Sequence, residues 1–106
     1  MLRYLMKVVE KSRHSHFFHA ALVLHGNRIL SSGYNRGELH AEVMAMNRLP
    51  LEARPRSTVW SIRVTPTGKL ANAKPCPECM EALRNNRVKK VVYSTAGGKL
   101  ETMRIK

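Results

Sequence analysis

The chain has 106 residues, 43% of them hydrophobic, which predicts one domain with a small core. No apolar run is long enough for a signal peptide or a membrane span, so the composition argues against a secreted or membrane protein. Its 19 lysines and arginines face seven glutamates and no aspartate, giving a formal net charge of +12 at pH 7. This charge favours association with polyanions, although a solubilising surface without a specific partner explains it equally well.

The first half of the chain predicts a helix, a β-hairpin and a second helix. The segment 1–13 is basic with apolar residues at helical spacing, and we interpret it as the first helix rather than as a transit peptide. Phe18–Leu24 and Arg28–Tyr34 flank Gly26-Asn27, which is the pattern of two strands joined by a tight turn. A helix is expected from about His40 to Leu49, because prolines follow it.

The second half predicts a strand, a helix and a final pair of strands. Thr58–Val64 is rich in β-branched residues, and a helix follows over 77–86 with proline at its first position. Val88–Thr95 and Lys99–Ile105 are expected to be strands joined at Gly97-Gly98. A connection this short cannot make a parallel crossover, so the last two strands should be antiparallel. The predicted element order is αββαβαββ.

Three potential metal ligands lie in two short motifs. In the first, His40 is followed two residues later by Glu42. In the second, Cys76 and Cys79 are separated by two residues, so a helix there places both sulfurs on one face. One imidazole and two thiolates suit zinc, and three protein ligands leave the fourth position to water, as in catalytic zinc sites. With a carboxylate nearby that can move protons, this set predicts metal-activated hydrolysis.

The paired motifs, residues 40–42 and 75–79, resemble the signature of the zinc-dependent cytidine and deoxycytidylate deaminase superfamily. The resemblance implies that residues 1–106 form a single cytidine-deaminase-like α/β domain. Its fold would be a three-layer α/β/α arrangement around a five-stranded mixed sheet, with both motif helices on one face. It also implies Zn²⁺ as the cofactor, with His40, Cys76 and Cys79 as its ligands and Glu42 as a proton shuttle that does not bind the metal.

The resemblance implies a hydrolytic deaminase that converts cytosine to uracil in a free nucleoside or nucleotide, namely cytidine, deoxycytidine or dCMP. The short connection between the last strands looks more like the free-nucleoside cytidine deaminases than like the tRNA-editing type. An alternative is a deaminase acting on cytosine or adenine in single-stranded DNA or RNA, which the positive charge favours. A third interpretation is a zinc-stabilised binding module without activity. The same resemblance implies a homo-oligomer, either a dimer or a tetramer.

By resemblance, four residues contact the substrate. Asn35 would hydrogen-bond the sugar, and Ala41, Lys74 and Pro75 would line the base pocket. From the residues alone, Asn35 is explained equally well as a turn residue. Lys74 either meets a phosphate or is solvated.

Several aromatic and histidine side chains have structural explanations that we prefer. Tyr34 and Trp60 lie in predicted strands, where an aromatic is more often part of the core than a platform for a base. His14, His16 and His19 are interpreted as polar surface in preference to a second metal site, since no acidic residue accompanies them.

The cysteine spacing and the helix positions also carry expectations. A C-x-x-C pair is better explained by metal than by a disulfide, so we expect a reducing compartment: the cytoplasm, or the nucleus of a eukaryotic cell. Because both motifs begin helices, we expect the positive helix ends to favour the thiolate forms. A basic cluster in the last quarter either faces phosphates or covers the sheet; it comprises Arg84, Arg87, Lys89, Lys90, Lys99, Arg104 and Lys106.

Overall fold

The computed structural model describes Arg3, Leu5 and residues 18–35 and 40–105. Arg3 and Leu5 are both helical, and the remainder of the predicted first helix lies outside the described residues. The strands are β1 (Phe18–His25), β2 (Arg28–Tyr34), β3 (Thr58–Val64), β4 (Leu70–Ala71), β5 (Lys90–Ser94) and β6 (Leu100–Arg104). The α-helices are α1 (Ala41–Asn47) and α2 (Pro77–Asn85), and Leu51–Ala53 is a turn of 3₁₀ helix. Within this part of the chain, neither α-helix has the length and apolar content to cross a membrane.

The strands form one mixed sheet in the order β2-β1-β3-β5-β6, with β4 attached to the end of β3. β1 is antiparallel to both β2 and β3, while β3 and β5 are parallel. The parallel pair needs a long crossover, and α2 supplies it. β5 and β6 are antiparallel, which confirms the prediction from the short connection. The five principal strands are those predicted; the sixth, β4, has only two residues and leaves no periodic signal in the sequence.

Two apolar clusters cover the two faces of the sheet, because successive residues of a strand point to opposite sides. On one face, Ala21 and Val23 of β1 pack with residues of both α-helices. On the other face, Leu22 and its neighbours surround Leu5, which is fully buried. Helical residues therefore cover both faces, as the three-layer prediction requires. Tyr34 and Trp60 are half-buried and pack against the second cluster, so each contributes to the core while part of its surface stays exposed.

Helix α1 lies unusually close to β2, and a glycine permits this approach. A Cβ added at Gly33 would meet the carbonyl oxygen of Ala41 and would lie 2.5 Å from the backbone nitrogen of Ala45. These are backbone atoms, which cannot rotate away as a side chain can. Gly33 therefore sets the distance at which α1, with the first motif at its start, packs on the sheet.

Replacing Gly33 by alanine should force α1 away from the sheet and lower the free energy of unfolding by about 1–3 kcal/mol, as overpacking does. The same shift should weaken zinc binding, because His40 is attached to the start of α1. Urea denaturation and zinc titration measure the two effects. Gly97→Ala is the matched control, since a Cβ there meets only the Thr95 hydroxyl at 3.9 Å. Equal stability of the two variants would contradict this explanation.

Candidate active site

The start of each α-helix carries one of the two sequence motifs. His40 is the residue immediately before α1, with extended backbone angles, and Glu42 lies in the first turn. Cys76 occupies the equivalent position before α2, Pro77 begins that helix, and Cys79 follows in its first turn. Since both helices pack on the same face of the sheet, their first turns meet there. The two motifs therefore meet because each lies at the start of a helix and both helices pack on one face of the sheet.

The three predicted ligands converge on one point. The Nδ1 atom of His40 lies 3.3 Å from the sulfur of Cys79, and the two cysteine sulfurs are also 3.3 Å apart. All three ligand atoms lie within 4.8 Å of one another, and both cysteines are free thiols. Donors of a tetrahedral zinc ion lie roughly 3.5 Å from one another, given zinc–ligand bonds of about 2.0–2.3 Å. One imidazole and two sulfurs at this spacing fit Zn²⁺.

Glu42 is a buried carboxylate next to this cluster, with only 2% of its surface exposed. Its Oε1 atom lies 3.1 Å from Nε2 of His19. The geometry of this contact is not that of a hydrogen bond, and Oε1 has no hydrogen-bond partner among the described residues. A buried carboxylate without full hydrogen bonding is costly. The Oε1 atom of Glu42 is therefore a buried acceptor that a substrate proton or a water molecule could use.

The environment of Cys79 differs from the expectation for a helix start. Burial raises the pKa of the Cys79 thiol, and the Glu42 carboxylate and the hydrogen bond with Cys76 raise it further. In the metal-free protein these effects disfavour the thiolate form of Cys79, contrary to the expectation from the helix end. A bound metal ion deprotonates such a thiol outright, so the thiolate at this position depends on the metal.

His19 is a member of the site that the sequence analysis did not recognise. Its side chain is 3% exposed, and its Nε2 atom lies 2.6 Å from the hydroxyl of Ser61 as well as 3.1 Å from Glu42. Burial lowers the pKa of His19, and the Glu42 carboxylate opposes this effect only in part. The interpretation of His19 as surface is wrong, while His14 and His16 lie outside the described residues.

Strand parity was the signal that could have located His19. Within the predicted first strand, residues 19, 21 and 23 share one side, and Ala21 and Val23 are apolar. That side packs against α1, so a histidine there faces the first motif.

Replacing His19 by leucine is expected to lower kcat by roughly 10- to 100-fold, as loss of a group that orients an active-site residue does. KM and zinc content should change little, because His19 is not one of the three clustered ligands. Steady-state kinetics and metal analysis of the purified variant measure this. His25→Leu is the control, since His25 lies on the same strand but is exposed. Unchanged kcat in His19→Leu would show that the contact with Glu42 has no role in activity.

The four residues that the resemblance assigns to substrate have different surroundings. The Oδ1 atom of Asn35 accepts a hydrogen bond from the backbone N–H of His19 at 3.0 Å, and the Asn35 N–H donates to the His19 carbonyl at 3.1 Å. Asn35 thus ties the end of β2 to the backbone of β1 at His19. Ala41 and Pro75 are buried beside the ligands, and Lys74 is exposed. Contacts of these four residues with a substrate remain a prediction.

Comparison with known proteins gives one family and several similar folds. The model of the cytidine and deoxycytidylate deaminase zinc-binding region matches residues 1–95. The dCMP deaminase of cyanophage S-TIM5, in its apo form, is similar with a TM-score of 0.66 and 20% identity, over 87% of this chain and 77% of that one. Acinetobacter baumannii RibD is similar with a TM-score of 0.59 and 22% identity, over 85% of this chain but 25% of RibD. No curated protein sequence matches significantly.

These likenesses differ in what they establish. The chain spans only a quarter of RibD, and at such low identities the solved structures show the fold alone. The family model, in contrast, covers most of the chain, including both motifs. The cluster of His40, Cys76 and Cys79 independently fits the zinc ion that the description of this family names. The chain therefore belongs to the cytidine and deoxycytidylate deaminase family.

Proposed function

We propose that this protein converts cytosine to uracil in a free nucleoside or nucleotide, with cytidine, deoxycytidine and dCMP as the candidate substrates. The observation that carries the proposal is the position of Glu42, buried beside the three clustered ligands with an oxygen that has no hydrogen-bond partner among the described residues. A site that held zinc only for folding would not need a desolvated carboxylate there.

The chemistry then divides between the metal and Glu42. His40, Cys76 and Cys79 would hold Zn²⁺, which would supply a Lewis acid that activates water at neutral pH. Glu42 accepts a proton from the attacking water and delivers it to N3 of the base as the oxygen adds to C4. Glu42 then moves a second proton to the amino group, which leaves as ammonia. The His19 imidazole, which is hydrogen-bonded to Ser61, lies against one side of the carboxylate and limits the space in which the proton carrier can move.

The connection between the last two strands supports a free nucleoside or nucleotide as substrate. β5 and β6 are antiparallel neighbours, and the residues between Ser94 and Leu100 form only a turn. In this respect the chain resembles the free-nucleoside deaminases more than the tRNA-editing type.

A substrate screen tests the proposal directly. Zinc-loaded protein is incubated with free bases, with nucleosides and nucleotides, and with cytosine- or adenine-containing oligonucleotides, and the release of ammonia and deaminated product is measured. We expect product from at least one of cytidine, deoxycytidine and dCMP, and none from the Glu42→Ala variant. Product from no free nucleoside or nucleotide would overturn the proposal.

The alternative is a deaminase that acts on cytosine or adenine within single-stranded DNA or RNA. The net charge of +12 favours it, because a base must be unstacked for this chemistry and basic surfaces hold flexible strands. The oligonucleotide arm of the screen separates it from the first proposal. Turnover of oligonucleotides that falls as salt is raised, without turnover of nucleotides, would support the alternative.

Two further properties are proposed with this function. We expect a homo-oligomer, a dimer or tetramer, since a domain of 106 residues has few residues with which to enclose a substrate pocket by itself. Light scattering of the purified protein measures the mass. We also expect the protein to work in the cytoplasm, or in the nucleus of a eukaryotic cell, where its two free thiols stay reduced and able to bind metal.

A further inference from the structure

Two adjoining cavities lie at the end of the sheet opposite the zinc cluster. The cluster lies at the start of α2, while the cavities lie where α2 ends and where β3 and β5 begin, about 12 Å away along the helix axis. Their volumes are about 530 and 490 Å³. The first is lined by Arg56, Arg84, Arg87, Val88, Lys89, Arg104 and Ile105. The second is lined by Gly26, Asn27, Arg56, Thr58, Trp60, Lys89, Lys90, Val92 and Thr102.

The charge around these cavities is of one sign. Six lysine and arginine side chains line them, and none of their described lining residues is acidic. Five of the six belong to the basic cluster noted in the last quarter of the sequence, and Arg56 joins them from a distant part of the chain. Like charges that are gathered around a concave surface repel one another and concentrate anions from solution. The cavities are therefore suited to phosphate groups.

Arg56 occupies a position in a turn that normally requires glycine. The Ser57 N–H donates to the Arg54 carbonyl at 3.3 Å, which closes a four-residue turn with proline at its second position. Arg56 follows with a φ of 62°, in the left-handed region. A turn with proline second and a positive φ third is of type II, in which glycine is preferred at the third position. The chain places an arginine there.

Arg87 occupies the equivalent unfavourable position at the end of α2. The Val88 N–H donates to the Leu83 carbonyl and the Arg87 N–H to the Arg84 carbonyl, both at 3.0 Å. This is the pattern of the Schellman motif, in which the residue in the left-handed conformation is usually glycine. Arg87 has a φ of 58°. Among the described residues, only Arg56 and Arg87 combine a side chain with a positive φ.

The two arginines belong to one structural unit. The Arg56 N–H donates to the Arg87 carbonyl at 2.8 Å, and next to it the Lys89 N–H donates to the Ser57 carbonyl at 2.8 Å. Both arginine side chains are exposed. Neither backbone position favours arginine and neither side chain is buried, which is consistent with a role for both in binding a ligand.

We propose that these cavities bind successive phosphate groups of a single-stranded nucleic acid. Arg56 and Lys89 line both cavities, so the two form one continuous cationic path from the α2 side of the sheet around its edge. A free phosphate or mononucleotide would occupy only one of the cavities, whereas a nucleic-acid strand could place phosphate groups in both. Trp60, half-buried in the second cavity, adds the aromatic surface that single-strand sites combine with cations.

The test uses a labelled oligothymidylate of about fifteen nucleotides, within the range of known single-strand sites. Thymine carries no amino group to be removed, so the deaminase site cannot turn this probe over, and the result does not depend on whether that site is catalytically active. Binding is measured by fluorescence polarisation over a range of salt concentrations. The double variant Arg56→Gly, Arg87→Gly is compared with Lys69→Gln, Lys99→Gln, which removes two charges from exposed turns at the other end of the sheet.

We expect the glycine double variant to lose roughly tenfold or more in affinity, since hydrogen bonds from charged groups to phosphate are strong. The slope of log affinity against log salt should fall by about 0.7 for each arginine removed. Its melting temperature should equal or exceed that of the parent, because glycine suits both backbone positions. Lys89→Gln, which does not change a residue of positive φ, should weaken binding in the same direction. The control variant should bind nearly as the parent does.

Four outcomes would overturn the proposal. One is failure of the parent protein to bind the strand at low salt. Another is equal loss of affinity in the control and the glycine variant, which would show a diffuse effect of net charge. A third is a lowered melting temperature in the glycine variant, which would give the arginines a structural role. The last is displacement of the strand by dTTP or tripolyphosphate at equal phosphate concentration, which would identify a free phosphate compound as the ligand.

Discussion

Replacing Glu42 by glutamine is expected to reduce kcat by about 10²- to 10⁴-fold, the range that general acid–base catalysis contributes. Glutamine has the size of glutamate but cannot accept the proton of the attacking water. Zinc content should stay at the parent level, because Glu42 is not among the three clustered ligands. Kinetics with the substrate found in the screen, together with metal analysis, measure both quantities.

The stability of Glu42→Gln distinguishes a catalytic from a structural role. The carboxylate is 2% exposed and its Oε1 atom has no hydrogen-bond partner among the described residues, so removing its charge should leave the free energy of unfolding unchanged or raise it. Glu42→Asp should also lose activity, since its carboxylate ends one methylene short. Glu52→Gln, at an exposed glutamate, serves as the control. Full activity in Glu42→Gln would favour the zinc-stabilised binding module instead.

Most of the architecture was accessible from local sequence signals. The turn at Gly26-Asn27, the β-branched run at residues 58–64 and the short connection at Gly97-Gly98 each act within a few residues, and each predicted the correct element or pairing. Strand β4 was missed because two residues show no alternation. The close approach of Gly33 to α1 was also missed, because it depends on where a helix lies after folding.

The residues of the candidate site also differ in whether the sequence alone predicts them. The spacing of Cys76 and Cys79 pairs them, and the motif resemblance adds His40 and Glu42. The place of His19 beside Glu42 depends on the packing of β1 under α1, which spacing alone does not give. Arg56 and Arg87 are 31 residues apart in the chain, and only the register of β3 and β5 brings their backbones together. The sequence therefore predicts the three residues that cluster, but not the groups that surround them.

Zinc affinity is expected to rise steeply with pH, whereas the stability of the metal-free protein falls in alkali. Burial raises the pKa of Cys79, so the metal must displace its proton, and affinity should increase about tenfold per pH unit for each thiol proton released. In the metal-free protein the sign is opposite. Above the ordinary thiol pKa of 9.0 the unfolded chain loses a proton that the folded chain keeps, so the free energy of unfolding decreases as pH rises.

Competition with a chromophoric chelator at pH 6, 7 and 8 measures the affinity, and urea denaturation of the metal-free protein between pH 8 and 10 measures the stability. Cys79→Ala should abolish tight zinc binding, and the alkaline loss of stability attributable to this thiol should disappear with it. His40→Ala should also lose the metal, while His25→Ala, at an exposed histidine outside the cluster, should retain it. A buried thiol next to the Glu42 carboxylate resists ionisation, so zinc must displace its proton in order to bind. Zinc affinity that does not vary with pH would therefore mean that Cys79 is not a ligand. The proposed hydrolytic site would then have only two of its three predicted ligands.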